Sequence, residues 1–214
     1  MTAATRRSPG RPTLTERRRE DTRGEVSRTA ARLFTERGYD ATTVEDIAAA
    51  SGMALRTFYR YFRAKEDTIT RLFGTGIGDW VHRLADADPG LGLLDALRTS
   101  YAEAVRHSRA GEVDDAQLRA LMRIVDGHPA LRAVWLNVYR DSEDQLRPAI
   151  AARVGRDPDD LAVRLAAGTA NTAVRIAMER WAAGDGPGSA EEAVAQALAE
   201  VAGGGLLGEG ENGA

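Results

Sequence analysis

No cysteine occurs among the 214 residues, which excludes disulfides and thiolate metal sites. Histidine is scarce: His82, His107 and His128 are the only three, and none has a partner at metal-ligand spacing. Lysine is scarcer still. Lys65 is the only one, and every other basic residue is arginine. Because Lys65 follows Ala64 rather than glycine, a Walker phosphate loop is ruled out. No G-x-S-x-G or H-E-x-x-H run is present. Gly74-Thr75-Gly76-Ile77-Gly78 lacks the preceding strand that a nucleotide loop needs. These absences weigh against an enzyme and leave no metal or cofactor to expect. No apolar run approaches the length of a membrane span and no signal peptide opens the chain, so a soluble, cytoplasmic protein is expected. Sustained apolar–polar alternation is also missing, which leaves an all-α fold.

Charge is present but unevenly placed. The net charge is −3, yet residues 1–73 carry an excess of basic side chains and the remainder an excess of acidic ones. Such a split points to nucleic-acid contact by the N-terminal part. The arm 1–19 concentrates arginine in RRSPGRP and RRR, and Pro9, Gly10 and Pro12 argue against helix there. A solvated tail fits this composition. So does a basic arm that places Arg6, Arg7 and Arg11 in a DNA minor groove.

The most informative stretch is TTVEDIAAASGMALRTFYRYFRAK, residues 42–65. Thr43 suits an N-cap, with Asp46 three residues on to complete a capping box. Val44, Ile47 and Ala48 give the following helix one apolar face. Ser51-Gly52 breaks it, since glycine accepts the positive φ of a tight corner. A second helix over 54–62 turns Phe58 and Phe62 inward, leaving Arg56, Thr57, Tyr59, Arg60 and Tyr61 for the outer face and its margins. Arginine, threonine and tyrosine reach base edges and phosphate oxygens, so this is the layout of a helix-turn-helix over 43–62. Upstream, Val26, Ala30, Leu33 and Phe34 predict a helix over 20–37 that stops at Gly38.

The run ARLFTERGYDATTVEDIAAASGM, then TFYRYF, then AKEDT resembles the DNA-binding domain of the tetracycline-repressor (TetR) family over about residues 20–80. The resemblance implies that Thr43 contacts a phosphate at a helix N-terminus. It implies that Thr57 and Tyr59 lie at the major groove, and that Tyr61 and Lys65 contact phosphates. Two positions depart from the family pattern: Ala54 stands where serine is usual, and Leu55 where a basic residue is usual. Base reading then leans on Arg56 and on apolar contact with thymine methyls.

The body, 81–203, reads as helix throughout. Predicted helices cover 65–86, 91–107, 114–125, 129–154, 157–183 and 189–202, with a disordered tail at 204–214. Gly74, Gly76 and Gly78 make the first a candidate for a local kink or a flexible lever, and Pro148 is a further kink candidate. Asp157-Pro158-Asp159-Asp160 and Ser189-x-x-Glu192 are helix starts, the former with Asp157 as cap. The last two helices are rich in alanine, which suits either an ordinary surface helix or close helix approach in a homodimer. The family resemblance implies the homodimer, a four-helix bundle across a two-fold axis. A dimer would present two recognition helices to a palindromic double-stranded operator.

The segment MRIVDGHPALRAVWLNVY and the later MERWAAG, within residues 118–183, more loosely resemble the C-terminal domain of the mycofactocin-regulator branch. Its members bind acyl-CoA-like ligands, which implies a small apolar or acylated effector. Met122, Leu131, Trp135, Tyr139 and Ile176 are the expected lining, with Arg123, Asn171 and Arg175 as polar partners; ordinary core packing and salt bridges are the competing reading of the same residues. The expectation is a dimeric, ligand-responsive repressor. The alternative is a helical interaction protein with a repurposed head.

Overall fold

The computed structural model describes residues 13–109 and 115–203, and among these every regular element is helical. The head comprises α1 (Leu14–Arg37), α2 (Val44–Ala50) and α3 (Leu55–Tyr61). Val26, Ala30, Leu33 and Phe34 on α1 close over Ile47 and Ala48 of α2 and over Phe58 and Phe62, all buried. The edge of the Tyr39 ring meets Phe34 with centroids 5.3 Å apart. Burial of the larger of these side chains, each contributing about 1.5–3 kcal/mol, holds α2 and α3, which at seven residues each are too short to persist alone.

α1 starts at Leu14, six residues before the predicted 20. Arginine and glutamate are good helix formers, and the prolines that were expected to break the helix all precede it. Glu20 anchors the extension: its two oxygens take Arg23 on the same helix and Arg71 across from it. Arg6, Arg7 and Arg11 lie outside the described residues.

A 3-10 turn, Glu66–Ile69, precedes α4 (Thr70–Asp86), so the helix predicted from 65 begins later. Asp67 causes the delay by accepting the backbone N–H groups of Arg63 (3.1 Å) and Ala64 (3.2 Å). α4 then runs unbroken through Gly74, Gly76 and Gly78. The head boundary expected at 80 therefore falls inside a helix, which packs on α1 at one end and on the body along its length.

The body adds α5 (Leu93–Arg109), α6 (Asp115–Gly127), α7 (Pro129–Val154), α8 (Leu161–Ala183) and α9 (Ala190–Ala202). α7 packs between α4 and α8, and α9 lies along α8. Trp80 is buried with its indole N–H donated to the Leu97 carbonyl at 3.2 Å, and Phe73 meets Trp135 edge to face at 4.7 Å. Pro148 sits on an exposed position of α7, and the helix continues through it to Val154. The cap of α8 is Asp160, not Asp157: Asp160 accepts Ala162 N–H at 2.8 Å, while Asp157 closes the preceding turn on Asp159 N–H. Ser189 and Glu192 form the expected reciprocal capping box of α9.

Candidate nucleic-acid interface and effector region

The two helices of the head are set by their corner. Thr43 Oγ1 accepts Asp46 N–H at 3.1 Å while Asp46 accepts the Thr43 backbone N–H at 2.9 Å. The Thr43 hydroxyl, donating to the Asp46 carboxylate at 2.6 Å, and then the Thr43 backbone N–H hold that carboxyl below its ordinary range. At the other end of α2, Met53 N–H reaches Ala48 O and Gly52 N–H reaches Ala49 O, with Gly52 at φ +64. This 6→1 and 5→2 pair ends the helix and starts the next one three residues on. With Phe58 driven fully inside, helical spacing aims Leu55, Arg56, Tyr59 and Arg60 outward as one face. Tyr59 is 53% exposed and Leu55 38%. Thr57 and Tyr61 lie half-buried on the margin of that face. Thr43 is exposed at the start of α2, its hydroxyl already engaged by Asp46.

Lys65 departs from the expected phosphate contact. Its ammonium donates to the carbonyls of Tyr39 (2.6 Å) and Thr42 (2.9 Å) and stands 4.0 Å from the centre of the Tyr39 ring. It ties together two carbonyls where α1 turns into α2, one of which also accepts the Thr42 N–H, and so braces the corner. The Tyr39 hydroxyl donates to Glu66 at 3.2 Å. Burial, followed by the Glu66 carboxylate, pushes the Tyr39 phenol up to about 12. The other face of this corner belongs to the body: His128 approaches Tyr39 with ring centres 4.9 Å apart, and its Nε2 lies 3.5 Å from Asp40. Its Nδ1 is 2.7 Å from the Ile124 carbonyl, which can only accept, so Nδ1 carries the proton.

In the body the expected effector residues are partly gathered and partly scattered. Trp135, Tyr139, Met122, Leu131 and Asn171 are all buried. Trp135 and Tyr139 meet with ring centres 4.5 Å apart. Asn171 donates to the Tyr139 carbonyl at 2.8 Å and accepts from Ser142 at 2.6 Å. Arg175 binds both oxygens of Glu179 at 3.0 and 2.9 Å, and Glu179 also accepts the Trp135 indole N–H at 2.9 Å. Glu179 is the member of this cluster that sequence reasoning missed, although its i+4 spacing from Arg175 was a signal for it. Burial drives the Tyr139 phenol well above its ordinary range.

Two expected lining residues lie elsewhere. Arg123 caps the end of α8 by donating to the Ala182 and Gly184 carbonyls at 2.7 and 3.0 Å. Met122 is buried, whereas Ile176 is 50% exposed. It lines an open groove of about 1350 Å³ along α8 and α9, floored by Gly168, Ala173, Ala177, Ala193 and Ala197. Leu161 (72% exposed) and Leu165 (60%) extend the same apolar face.

A short capped helix, a Gly corner and a second helix with its polar and aromatic side chains outward define a helix-turn-helix DNA-binding protein. Residues 27–71 match the family described as bacterial regulatory proteins, tetR family, and residues 91–205 match the MftR C-terminal domain. The regulator TcmR of Streptomyces glaucescens is 35% identical over 74% of this chain and 72% of its own. The repressor KstR2 of Mycobacterium tuberculosis (strain CDC 1551 / Oshkosh) is 33% identical over 85% of this chain and 92% of its own. Thermus thermophilus FadR, a repressor crystallised with lauroyl-CoA, superposes with a TM-score of 0.56 at 20% identity, covering 90% of this chain and 99% of that one. The chain belongs to the TetR family of bacterial transcriptional regulators. It is a DNA-binding regulator, and among the described residues no helix is long and apolar enough to cross a membrane.

Proposed function

We propose that the chain acts as a homodimeric repressor that binds a palindromic operator and releases it when a small apolar or acylated ligand enters the body. The observation that carries the dimer is the α8–α9 face. Leu161, Leu165 and Ile176 stand exposed beside a floor of alanine and glycine. A second copy applied about a two-fold axis would cover the same patch on both chains. The dimer then sets two copies of α3 on one face of the duplex, one helical turn of about 34–36 Å apart or a multiple of it. Arg56, Thr57 and Tyr59 read bases and nearby phosphates, with Leu55 for a thymine methyl. Tyr61 and Thr43 take phosphates, and Arg6, Arg7 and Arg11 enter the adjacent minor groove.

The ligand would open the packed cluster of Trp135, Tyr139 and Met122, displacing aromatic contacts rather than filling a waiting cavity. Arg175 would exchange Glu179 for a polar group of the effector. The crystallised complex of Thermus FadR with lauroyl-CoA makes acyl-CoAs the first ligands to try. A near-complete switch requires about 5.5 kcal/mol of preference for one of the two states.

The test is selection of duplexes from a random pool by the full chain, with light scattering of the protein and the complex. A recovered palindrome bound by two chains, and released by an acyl-CoA, is the expected result. A monomer that enriches no duplex would overturn the reading and favour the protein-interaction alternative.

A further inference from the structure

The arginine run at 17–19 was expected in a flexible arm, but it belongs to the first turns of α1. That end of the helix is fixed. Arg71 of α4 crosses it to reach Glu20, so closely that a Cβ at Gly24 would sit 3.1 Å from Arg71 Nε. Held there, the Arg19 guanidinium comes to 5.7 Å from the centre of the Tyr61 ring, at the last turn of α3. Arg60 approaches the same ring at 5.3 Å. Both arginines are exposed, and neither has an ion-pair partner among the described residues. The two cations gather on one aromatic ring.

We infer that Arg19 and Arg60, aligned by the Tyr61 ring, form a phosphate clamp at the margin of the recognition helix. This rests on the reading of the head as a duplex binder, and it adds two phosphate ligands to it, one of them on α1. A guanidinium presents parallel N–H groups that match phosphate oxygens, and the contact with the ring places both cations there before DNA arrives. The ordering cost that a free arm would meet on binding is thereby reduced. The clamp contacts backbone only, so it strengthens binding to every sequence by a similar factor. A dimer would carry two copies, one at the C-terminal end of each α3.

The experiment measures Kd against salt for the full chain on a labelled random-sequence duplex and on a duplex recovered by selection. R19A, R19Q, R60A, Y61F and Y61L are compared with the wild type, with melting temperatures confirming folded protein. Each phosphate contact contributes about 0.9 to the slope of log K against log salt, so R19A, R19Q and R60A should each flatten it by about 1.8 per dimer. The affinity loss should be similar on both duplexes. Y61F keeps the ring and should bind more tightly than Y61L, and that difference should shrink in an R19A background. Unchanged slopes in R19A, R19Q and R60A, while the wild type still shows a steep one, would overturn the clamp alone. A flat slope in the wild type itself would instead overturn the duplex-binding reading on which the clamp stands. A Y61F-to-Y61L difference that is the same with and without Arg19 would remove the alignment by Tyr61.

Discussion

His128 and Tyr39 face each other across the junction of head and body, with ring centres 4.9 Å apart. His128 stands at the N-cap position of α7, the helix that carries Trp135 and Tyr139, with its side chain bonded back to Ile124. Tyr39 lies four residues before the cap of α2, and its carbonyl is held by Lys65. A shift of the α6–α7 corner is therefore expected to reach the start of the helix-turn-helix. Replacing His128 by Ala removes the aromatic contact and the approach to Asp40. It is expected to lower unfolding free energy by about 1 kcal/mol and to raise hydrogen exchange at 39–43 more than elsewhere in the head. Uniform exchange across α1 to α3 would mean that the two rings merely touch.

Lys65→Met tests whether the only lysine braces the head or contacts DNA. Two carbonyls lose a charged donor, and a half-buried site limits how far water replaces it. A loss of about 2 kcal/mol in urea-induced unfolding is expected. Lys65→Arg should recover little, because a planar fork does not reproduce a point charge seated over a ring. Normal stability combined with a flatter salt dependence of DNA binding would return Lys65 to the phosphate-contact role.

Tyr39 gives the alkaline range a specific signature. Its folded phenol is raised to about 12, above the unfolded value near 10. The stability it contributes is fully present below about pH 10 and is lost as pH rises through about 12. Absorbance of tyrosinate near 295 nm should show late-titrating tyrosines, and Tyr39→Phe should remove one of them. If the titration of the variant keeps the same late component, the burial and Glu66 bond do not govern this phenol.

On α4, a Cβ added at Gly74, Gly76 or Gly78 would meet nothing within 4 Å. Packing does not require glycine there, so alanine at any one should stabilise by about 1 kcal/mol through helix propensity. The melting temperature should rise by about 2–4 °C for each. If these residues soften the lever between head and body, the triple variant keeps its operator affinity and loses ligand release. A fall in melting temperature would indicate contacts that the free space does not reveal.

Leu165→Glu places a charge on the exposed α8–α9 face, where Leu165 is 60% exposed. The chain itself should fold with unchanged stability as a monomer, since the leucine buries little. Light scattering should report half the wild-type mass, and affinity for a palindrome should fall by orders of magnitude toward that for a half-site. An undisturbed dimer would move the interface to another face.

What could be read from the chain alone followed from short-range chemistry. The capping boxes at Thr43–Asp46 and Ser189–Glu192 need only residues three apart, and Phe58 with Phe62 shares a face by helical spacing alone. The same logic failed where two local solutions competed. Asp157 and Asp160 both suit a cap, and the turn that Asp157 closes on Asp159 gave the cap to Asp160. Arg17 to Arg19 follow a proline-containing stretch, and the tie from Glu20 to Arg71, 51 residues on, adds to their own helix propensity a contact that no local pattern shows.

The sequence by itself determined an all-helical protein with a DNA-reading head, because periodicity, caps and the TTVEDIAAASGMALRTFYRYF pattern are written in neighbouring residues. Tertiary structure decided which charges were spent and which stayed free. Lys65 turned inward to carbonyls 23 and 26 residues before it, and Arg123 to the end of a helix 59 residues after it. Arg19 and Arg60 found an aromatic ring and no carboxylate. A cation binds whatever acceptor the folded chain brings within about 3 Å. That distance is set by packing between helices and is not encoded in spacing along any one of them.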